Sequence, residues 1–259
     1  MPFSVLVDVT RCIGCQGCQV ACKGWNDRPA DSTTLGETMG NPSDTYSSAY
    51  TVMKFREGGD AKGPKWHFAK RQCMHCLSPA CASACPVGAL TKEPAGPVVY
   101  HKGLCIGCRY CMLACPFGVP KFEWKAAMPY IQKCDFCADR LKAGTEPACT
   151  KTCPSGALLF GKREDVMKTA SSRIASRPGR YVNHVYGVDE AGGTSWLYIS
   201  DAAFSELYLR EDLNRFAYGK SPMDALGLAP AVGLGVAALL AGFYFISGRK
   251  ERLKDNEGA

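Results

Sequence analysis

Sixteen cysteines in four groups of four constrain this chain of 259 residues more than any other feature. Each group opens with two cysteines three residues apart and closes with two cysteines four residues apart. In order along the chain the groups are Cys12, Cys15, Cys18, Cys22; Cys73, Cys76, Cys81, Cys85; Cys105, Cys108, Cys111, Cys115; and Cys134, Cys137, Cys149, Cys153. A proline follows the last cysteine of every group except the first, where Lys23 follows Cys22.

The third group, CIGCRYCMLACP at 105–116, has the spacing of bacterial ferredoxins. In such a run three thiolates bind one [4Fe–4S] cluster, and the fourth reaches a second cluster bound mainly by another run. Four groups of four cysteines therefore predict four [4Fe–4S] clusters. Two further uses of the thiols have weaker support. Disulfides suit secreted proteins, but Met1 to Arg11 lacks an apolar stretch long enough for a signal peptide. Zinc sites favour two separated C-x2-C pairs.

Internal repeats suggest how the groups are paired. The tetrapeptide CIGC occurs at 12–15 and 105–108, and CPVGAL at 85–90 resembles CPSGAL at 153–158. Phe3 to Val9 and Val98 to His101 are predicted strands that lead into the two CIGC motifs. Groups two and three carry all the parts of one two-cluster ferredoxin module, whereas groups one and four each carry half of another.

We therefore expect an α+β fold with two ferredoxin-like modules, one inserted in the other, irregular linkers and one C-terminal transmembrane helix. The predicted ligand sets are Cys12, Cys15, Cys18 and Cys153 for cluster A; Cys134, Cys137, Cys149 and Cys22 for cluster B; Cys73, Cys76, Cys81 and Cys115 for cluster C; and Cys105, Cys108, Cys111 and Cys85 for cluster D. Sequential pairing of group one with two, and of three with four, stays open because spacing alone does not exclude it.

The rest of the chain is divided on composition and periodicity. A helix is predicted over Lys162 to Ser176, and a strand over Trp196 to Ser200. The predicted regions are 1–30 with 126–165 for the outer module, 66–125 for the inserted module, 31–65 for a linker, 166–221 for a capping or partner-contact region, 222–248 for a transmembrane helix and 249–259 for a cytoplasmic tail.

Leu226 to Ser247 has no charged residue over 22 positions. As a helix it would be about 33 Å long, enough to cross a bilayer core of about 30 Å. Arg249 and Lys250 follow it, so the positive-inside rule places the tail in the cytoplasm and the cluster domain on the periplasmic face of the cell membrane. A buried helix of a soluble domain is the alternative.

The formal charge of +7 does not indicate nucleic-acid binding. Clusters with their thiolates are anionic, so the excess of lysine and arginine offsets their charge. No basic run with interleaved aromatic residues is present. We therefore expect no nucleic-acid partner.

Several segments resemble the beta subunit of membrane-bound respiratory formate dehydrogenase, within the four-cluster subunits of molybdopterin oxidoreductases. They are CIGCQGCQVACKGWND at 12–27, YTVMKF at 50–55, QCMHCLSPACASACP at 72–86, KCDFCADRLKAGTEPACTKTCPSGA at 133–157 and GGTSWLYISD at 192–201. The resemblance covers nearly the whole chain. It implies a catalytic alpha subunit with a molybdenum or tungsten pterin cofactor, and a gamma subunit that is a b-type cytochrome reducing quinone.

The expected function is electron transfer through four clusters from formate oxidation to the membrane cytochrome. No catalytic residue is predicted, because ligation uses every cysteine and each cluster has four thiolates. The chain alone is therefore not expected to be an enzyme. An equivalent subunit of a hydrogenase or of another molybdopterin oxidoreductase is the alternative, since the cysteine pattern is shared among them.

Overall fold

A computed structural model describes residues 2–32, 40–60, 63–218 and 220–257. Parts of the predicted linker (33–39 and 61–62) and the end of the predicted tail (258–259) lie outside the described residues. The chain forms two units, Met1–Gly219 and Lys220–Ala259. All the cysteines belong to the first unit.

The first unit contains nine strands, six α-helices and four short 3-10 helices among its described residues, and several of the α-helices are only one turn long. The strands are β1 (Phe3–Asp8), β2 (Val52–Asp60), β3 (Gly63–Arg71), β4 (Leu90–Lys92), β5 (Val98–Tyr100), β6 (Lys121–Phe122), β7 (Ile131–Gln132), β8 (Leu158–Lys162) and β9 (Trp196–Ile199). The helices are α1 (Gly17–Trp25), α2 (Ala80–Ser83), α3 (Tyr110–Ala114), α4 (Ala138–Lys142), α5 (Ala148–Lys151) and α6 (Arg163–Ala175). Each predicted strand and the predicted helix over 162–176 are present within one or two residues.

A three-stranded sheet in the order β8-β1-β9 forms the centre of this unit. β1 pairs antiparallel with β8, with Val5 opposite Phe160, and parallel with β9, with Val5 opposite Trp196. β1 and β9 are rich in apolar residues and are buried almost throughout, as is typical of strands covered on both faces. The sheet therefore joins the start of the chain to segments more than 150 residues away.

The two faces of β1 pack against different parts of the molecule. Leu6 packs with Leu197 of β9 and with Val166 of α6 on one face. Val5 and Val7 face the opposite way, into the large core that contains many of the cysteines. This follows from the alternation of side chains along a strand. The sheet thus separates α6 from the cysteine-rich core.

Asp8, at the end of β1, fixes α6 beside the first cysteine group. Its carboxylate is fully buried and accepts hydrogen bonds from Arg173 of α6 at 2.8 Å and from the Tyr181 hydroxyl at 3.2 Å. The Thr10 hydroxyl donates to it at 2.7 Å. A buried carboxylate needs such partners, because an unpaired one is strongly disfavoured.

Two short hairpins connect the later cysteine groups. β4 and β5 pair antiparallel between groups two and three, where the ferredoxin-like module requires a central hairpin. β6 and β7 pair antiparallel between groups three and four. The predicted strand over 98–101 corresponds to β5.

The linker expected to be irregular contains β-structure instead. β2 and β3 form an antiparallel hairpin in which Val52 is opposite Arg71. The aromatic ring of Phe55 packs against Phe68 at 5.4 Å between centroids, a cross-strand contact that stabilises such pairs. The glycines and charged residues at the far end of the hairpin hid this pattern in the sequence. The predicted boundary at 65/66 falls inside β3.

The second unit is a single helix, α7 (Lys220–Glu257). Within it Leu228–Ser247 has a mean hydropathy of 1.9 over 20 residues, and its side chains are exposed. At about 1.5 Å per residue this segment is about 30 Å long, the thickness of a bilayer core. One helix is therefore long and apolar enough to cross a membrane, as the sequence predicted.

We predict that Leu197→Ala lowers the stability of the first unit by about 2–5 kcal/mol, because it leaves a cavity between the sheet and α6. For a unit of this size the melting temperature would fall by about 5–15 °C. Thermal unfolding of the detergent-purified, cluster-loaded protein, followed by circular dichroism, measures this. Lys168→Ala, at an exposed position of α6, is the control and should change stability by less than about 0.5 kcal/mol. Equal melting temperatures for the two variants would contradict the packing described above.

Candidate metal centres

Each group of cysteines lies partly in a loop and partly on a short helix. α1 carries Cys18 and Cys22, α2 carries Cys81, α3 carries Cys111 and α5 carries Cys149. The remaining cysteines lie in loops or at the ends of these elements. The loops leave thiols free to converge, because successive loop residues are not held to one helical face.

The two CIGC motifs adopt the same tight turn. Gly14 and Gly107 have positive φ angles of 67° and 72°, and Gln16 and Arg109, two residues further on, have 55° and 62°. Glycine adopts this conformation without steric cost, whereas other residues pay for it. The repeated sequence therefore produces a repeated turn, with a helix starting directly after it in both cases.

Several backbone amides point at cysteine sulfur atoms. The amide of Gly107 donates to Cys105 Sγ at 3.4 Å, and that of Ala89 donates to Cys85 Sγ at 3.2 Å. The amide of Phe136 donates to Cys134 Sγ at 3.4 Å. Hydrogen bonds of this kind stabilise the anionic form of a ligand and raise the potential of a cluster.

The four cysteines predicted for cluster A line one cavity. Cys12, Cys15 and Cys18 come from the first group, and Cys153 comes from the fourth. Val7 of β1 and Lys70 of β3 line the same cavity. Burial raises the pKa of Cys12, and the charges of Cys153 and Cys15 raise it further.

Cysteines predicted for cluster B also lie close together. Burial raises the pKa of Cys22 to about 12, with further increases from Cys149 and Cys137. Burial raises the pKa of Cys134 well above its ordinary value, and Cys22 is the next largest cause. Cys22 of the first group therefore lies near all three cysteines of the fourth group with which it was predicted to act.

The cysteines predicted for clusters C and D also lie close together, and burial raises the pKa of members of each set. Burial raises the pKa of Cys76 well above its ordinary value, and the charges contributing next belong to Cys73, Cys115 and Cys81. Burial raises the pKa of Cys111 to about 11, and the neighbouring charges belong to Cys105, Cys108 and Cys85. In each case the cysteine from the other group lies beside three from its predicted partner group.

The chemistry of these donors fits an iron–sulfur cluster. Thiols with raised pKa are protonated at neutral pH. They lose the proton when iron binds, because the thiolate is the form that binds a metal. Among the described His, Cys, Asp and Glu side chains, no three converge closely enough for one metal ion. A cubane takes one thiolate on each of its four irons, which suits the sets of four cysteines described above.

A buried histidine supplies a second test of this fit. His75 lies between Cys73 and Cys76 and is fully buried. Its Nδ1 accepts a hydrogen bond from the Val98 amide at 2.8 Å, so the neutral ring carries its proton on Nε2. Nε2 has no partner among the described protein atoms. Sulfur of a nearby cluster is an acceptor that would satisfy this donor.

The segment before and within β9 supports the second cysteine group, a role that the sequence did not indicate. Cys76 forms an isolated β-bridge with Thr194. The Ser195 amide donates to the Met74 carbonyl at 3.0 Å, and the Leu77 amide donates to the Gly193 carbonyl at 2.9 Å. These contacts are between backbone groups far apart in sequence, which periodicity does not reveal.

Lys70 is a further residue that sequence reasoning missed. It lies on β3, in a segment assigned from sequence only to the start of the inserted module, yet it is 1% exposed. Burial acts to lower its pKa, but the charges of Cys149, Cys18, Cys134 and Cys22 together raise it to about 12. A lysine in an amphipathic strand normally faces solvent, so no sequence signal marks it.

The fold and the gathered thiols define an iron–sulfur protein of the dicluster class. Residues 64–163 match the family described as 4Fe-4S dicluster domain, and residues 11–89 match a second family with the same description. The two ranges overlap at 64–89, so they do not assign the four groups to two modules.

Whole-chain relatives identify the family more closely. A protein of Nitratidesulfovibrio vulgaris is 44% identical over 99% of this chain and 70% of its own length. The iron–sulfur subunit of the nitrate-inducible formate dehydrogenase of Escherichia coli is 36% identical over 97% of this chain and 87% of its own. Hydrogenase-2 operon protein HybA of Shigella flexneri is 32% identical over 99% of this chain and 87% of its own length. The chain belongs to the family of iron–sulfur subunits that includes that of formate dehydrogenase, which confirms the resemblance seen in the sequence.

We predict that Gly14→Ala causes more iron loss than Gly107→Ala. Both substitutions place Ala at a positive φ, at a similar backbone cost of about 1–2 kcal/mol. A Cβ at Gly14 would also come within 2.5 Å of the Phe68 ring, whereas one at Gly107 would meet no atom within 4 Å. Iron per chain in anaerobically purified protein measures the difference. Equal losses would show that backbone strain alone decides cluster retention.

Proposed function

We propose that the chain is a non-catalytic electron-transfer subunit that holds four [4Fe–4S] clusters, with ligands as assigned above to clusters A to D. The observation that carries this proposal is the proximity of every group's last cysteine to the first three of another group. Each cluster, when bound, takes up and releases one electron. The protein holds the clusters, excludes water from them and sets their potentials through burial, hydrogen bonds to sulfur and local charge.

The pairing of the central sheet supports a nested arrangement of the two modules. β1 leads into the first cysteine group, and β8 begins five residues after Cys153, the last cysteine of the fourth group. β1 and β8 pair antiparallel, as expected if they are the two ends of one ferredoxin-like module that is interrupted by the other. Sequential pairing of the groups does not by itself predict this strand pairing.

Electrostatic interactions between cysteines of the proposed ligand sets support an order A–B–C–D. Besides burial, the charge of Cys149 contributes to the raised pKa of Cys18, which links clusters A and B. The charge of Cys73 likewise contributes to the raised pKa of Cys134, which links clusters B and C. The charge of Cys111 contributes to the raised pKa of Cys81, which links clusters C and D. Electrons hop one at a time between neighbouring clusters, so each cluster must lie close to the next one in the series.

Exposed apolar residues lie beside the first and the third cysteine groups, at clusters A and D. Near cluster A these include Ile13 and Val20, and near cluster D they include Ile106, Tyr110 and Leu113. Apolar side chains exposed on a protein surface are common at interaction sites. They support partner contacts at both ends of the proposed order.

The similarity to formate dehydrogenase iron–sulfur subunits supports a catalytic partner subunit, and the sequence resemblance to that family suggests the membrane partner. The electron donor is a formate-oxidising catalytic subunit with a molybdenum or tungsten pterin cofactor, and the acceptor is a membrane b-type cytochrome that reduces quinone. α7 anchors the chain in the cell membrane, with the cluster domain periplasmic and the C-terminus cytoplasmic. The basic residues that follow the apolar segment support this orientation.

An equivalent subunit of a hydrogenase, or of another molybdopterin oxidoreductase, is the second candidate. The similarity to HybA, at 32% identity over 99% of this chain, favours it. The higher identity to formate dehydrogenase subunits, up to 42% over 75% of this chain, favours the first candidate. The catalytic subunit that co-purifies with this chain distinguishes the two.

We predict about sixteen irons per chain and a pairing that cysteine variants reveal. Cys12→Ser and Cys153→Ser should perturb the same electron paramagnetic resonance (EPR) signal of the reduced protein, because both remove a ligand of cluster A. Cys105→Ser should perturb a different signal and serves as the control. If Cys12→Ser and Cys153→Ser perturb two different signals, the pairing is sequential and the nested arrangement is wrong.

We predict that formate reduces the clusters only in the complete membrane complex. Formate added anaerobically to that complex should bleach the visible absorption of the clusters, and a quinone should restore it. The isolated chain with reconstituted clusters should show neither change with formate, because every cysteine is used in ligation. Hydrogen in place of formate is the parallel test. Reduction by hydrogen but not by formate would favour the second candidate.

A further inference from the structure

Lys70 is a buried cation without an anionic protein partner in the described part of the chain. Its Nζ donates to Thr51 Oγ1 at 2.9 Å and to Gln72 Oε1 at 3.1 Å, and both acceptors are neutral. It lies over the Trp196 ring, with Nζ 4.3 Å from the ring centroid. Ion pairs of the described residues involve other lysines, such as Lys54 with Asp44. A buried charge is strongly disfavoured unless an opposite charge compensates it.

The compensating charge lies among the cysteines. Lys70 lines the same cavity as Cys12, Cys15, Cys18 and Cys153, which are the proposed ligands of cluster A. Trp196, over which Lys70 lies, belongs to the same buried core as Cys134 and Cys149, which are proposed ligands of cluster B. As thiolates, these two cysteines and Cys22 would act on Lys70 electrostatically. Lys70 therefore faces the ligands of two centres at once.

The neighbours of Lys70 hold its position without cancelling its charge. The Gln72 amide donates to the Tyr198 hydroxyl at 2.7 Å, and that hydroxyl donates to the Lys70 carbonyl at 2.8 Å. Both Gln72 and Tyr198 are buried. The side chain thus has fixed polar and aromatic contacts on the protein side, and it faces cysteine sulfur atoms that become negatively charged thiolates when they bind iron.

We propose that Lys70 is a shared counter-cation of clusters A and B that raises the reduction potential of both. This inference rests on the proposed function, since it needs clusters at these two sets of thiols. Each reduction adds one electron from the catalytic subunit to a cluster that is already anionic. A fixed positive charge favours the more negative, reduced form.

The test is the potential of each cluster in the purified complex, measured by redox titration with EPR detection. Lys70→Met removes the charge and keeps a long side chain. At a fixed applied potential, the ratio of reduced to oxidised cluster should fall at least tenfold for A and B, which is a shift of about 59 mV for a one-electron couple. The ratios for C and D should change less than twofold.

Two further variants separate charge from structure. Lys70→Arg keeps the charge and should retain potentials close to wild type. Lys54→Met removes a lysine of the paired strand β2 whose charge is already matched by Asp44, and it should leave A and B unchanged. Unchanged potentials in Lys70→Met with full iron content would overturn the proposal.

Loss of iron is also interpretable. If Lys70→Met loses the clusters, Lys70→Gln, which can still hydrogen-bond to Thr51, is titrated in its place. Loss of iron in both neutral variants but not in Lys70→Arg would support a requirement for the charge. Loss in Lys70→Arg as well would make Lys70 a packing residue and overturn the proposal. Cys18→Ser and Cys22→Ser identify the signals of A and B, and their iron content tests the proposed function independently of any potential.

Discussion

Burial of many thiols in one protein core is the constraint on which the rest of this structure depends. Burial opposes the formation of thiolates, yet thiolates are the ligands that iron requires. Burial raises the pKa of Cys134 well above its ordinary value, which shows this opposition. The surrounding protein compensates with positive charge and with hydrogen bonds. Lys70 and Lys133 are buried in the same region, and backbone amides donate to sulfur at Cys85 and Cys105.

The central sheet positions these thiols by joining distant parts of the chain. β1 contributes one face to the packing of α6 and the other to the cysteine-rich core. Because β8 and β9 flank it, the first group, the fourth group and the segment that supports the second group are all attached to one strand. The same scaffold therefore sets the relative positions of several centres. Electron transfer between clusters depends on such fixed positions.

Much of this architecture could be predicted because the cysteine pattern repeats. The two CIGC motifs form equivalent turns, since glycine at the third position permits the same positive φ in both. The β1, β5 and β9 strands and the α6 helix follow from local hydrophobic patterns and their stop signals. The β2–β3 hairpin was missed, because its glycines and charges resemble those of a surface loop and its pairing partner lies in a different predicted region.

The sequence by itself determined the cysteine groups, the local turns that present them and the apolar segment able to cross a membrane. These depend on spacing and composition over a few residues. The tertiary structure decided which thiols of different groups lie together, how the segment around Ser195 supports Met74, and that Lys70 faces cysteines rather than solvent. The physical reason is that burial and charge compensation arise between residues far apart in the chain. The residues next to a lysine in a strand do not reveal whether its side chain faces water or thiolates.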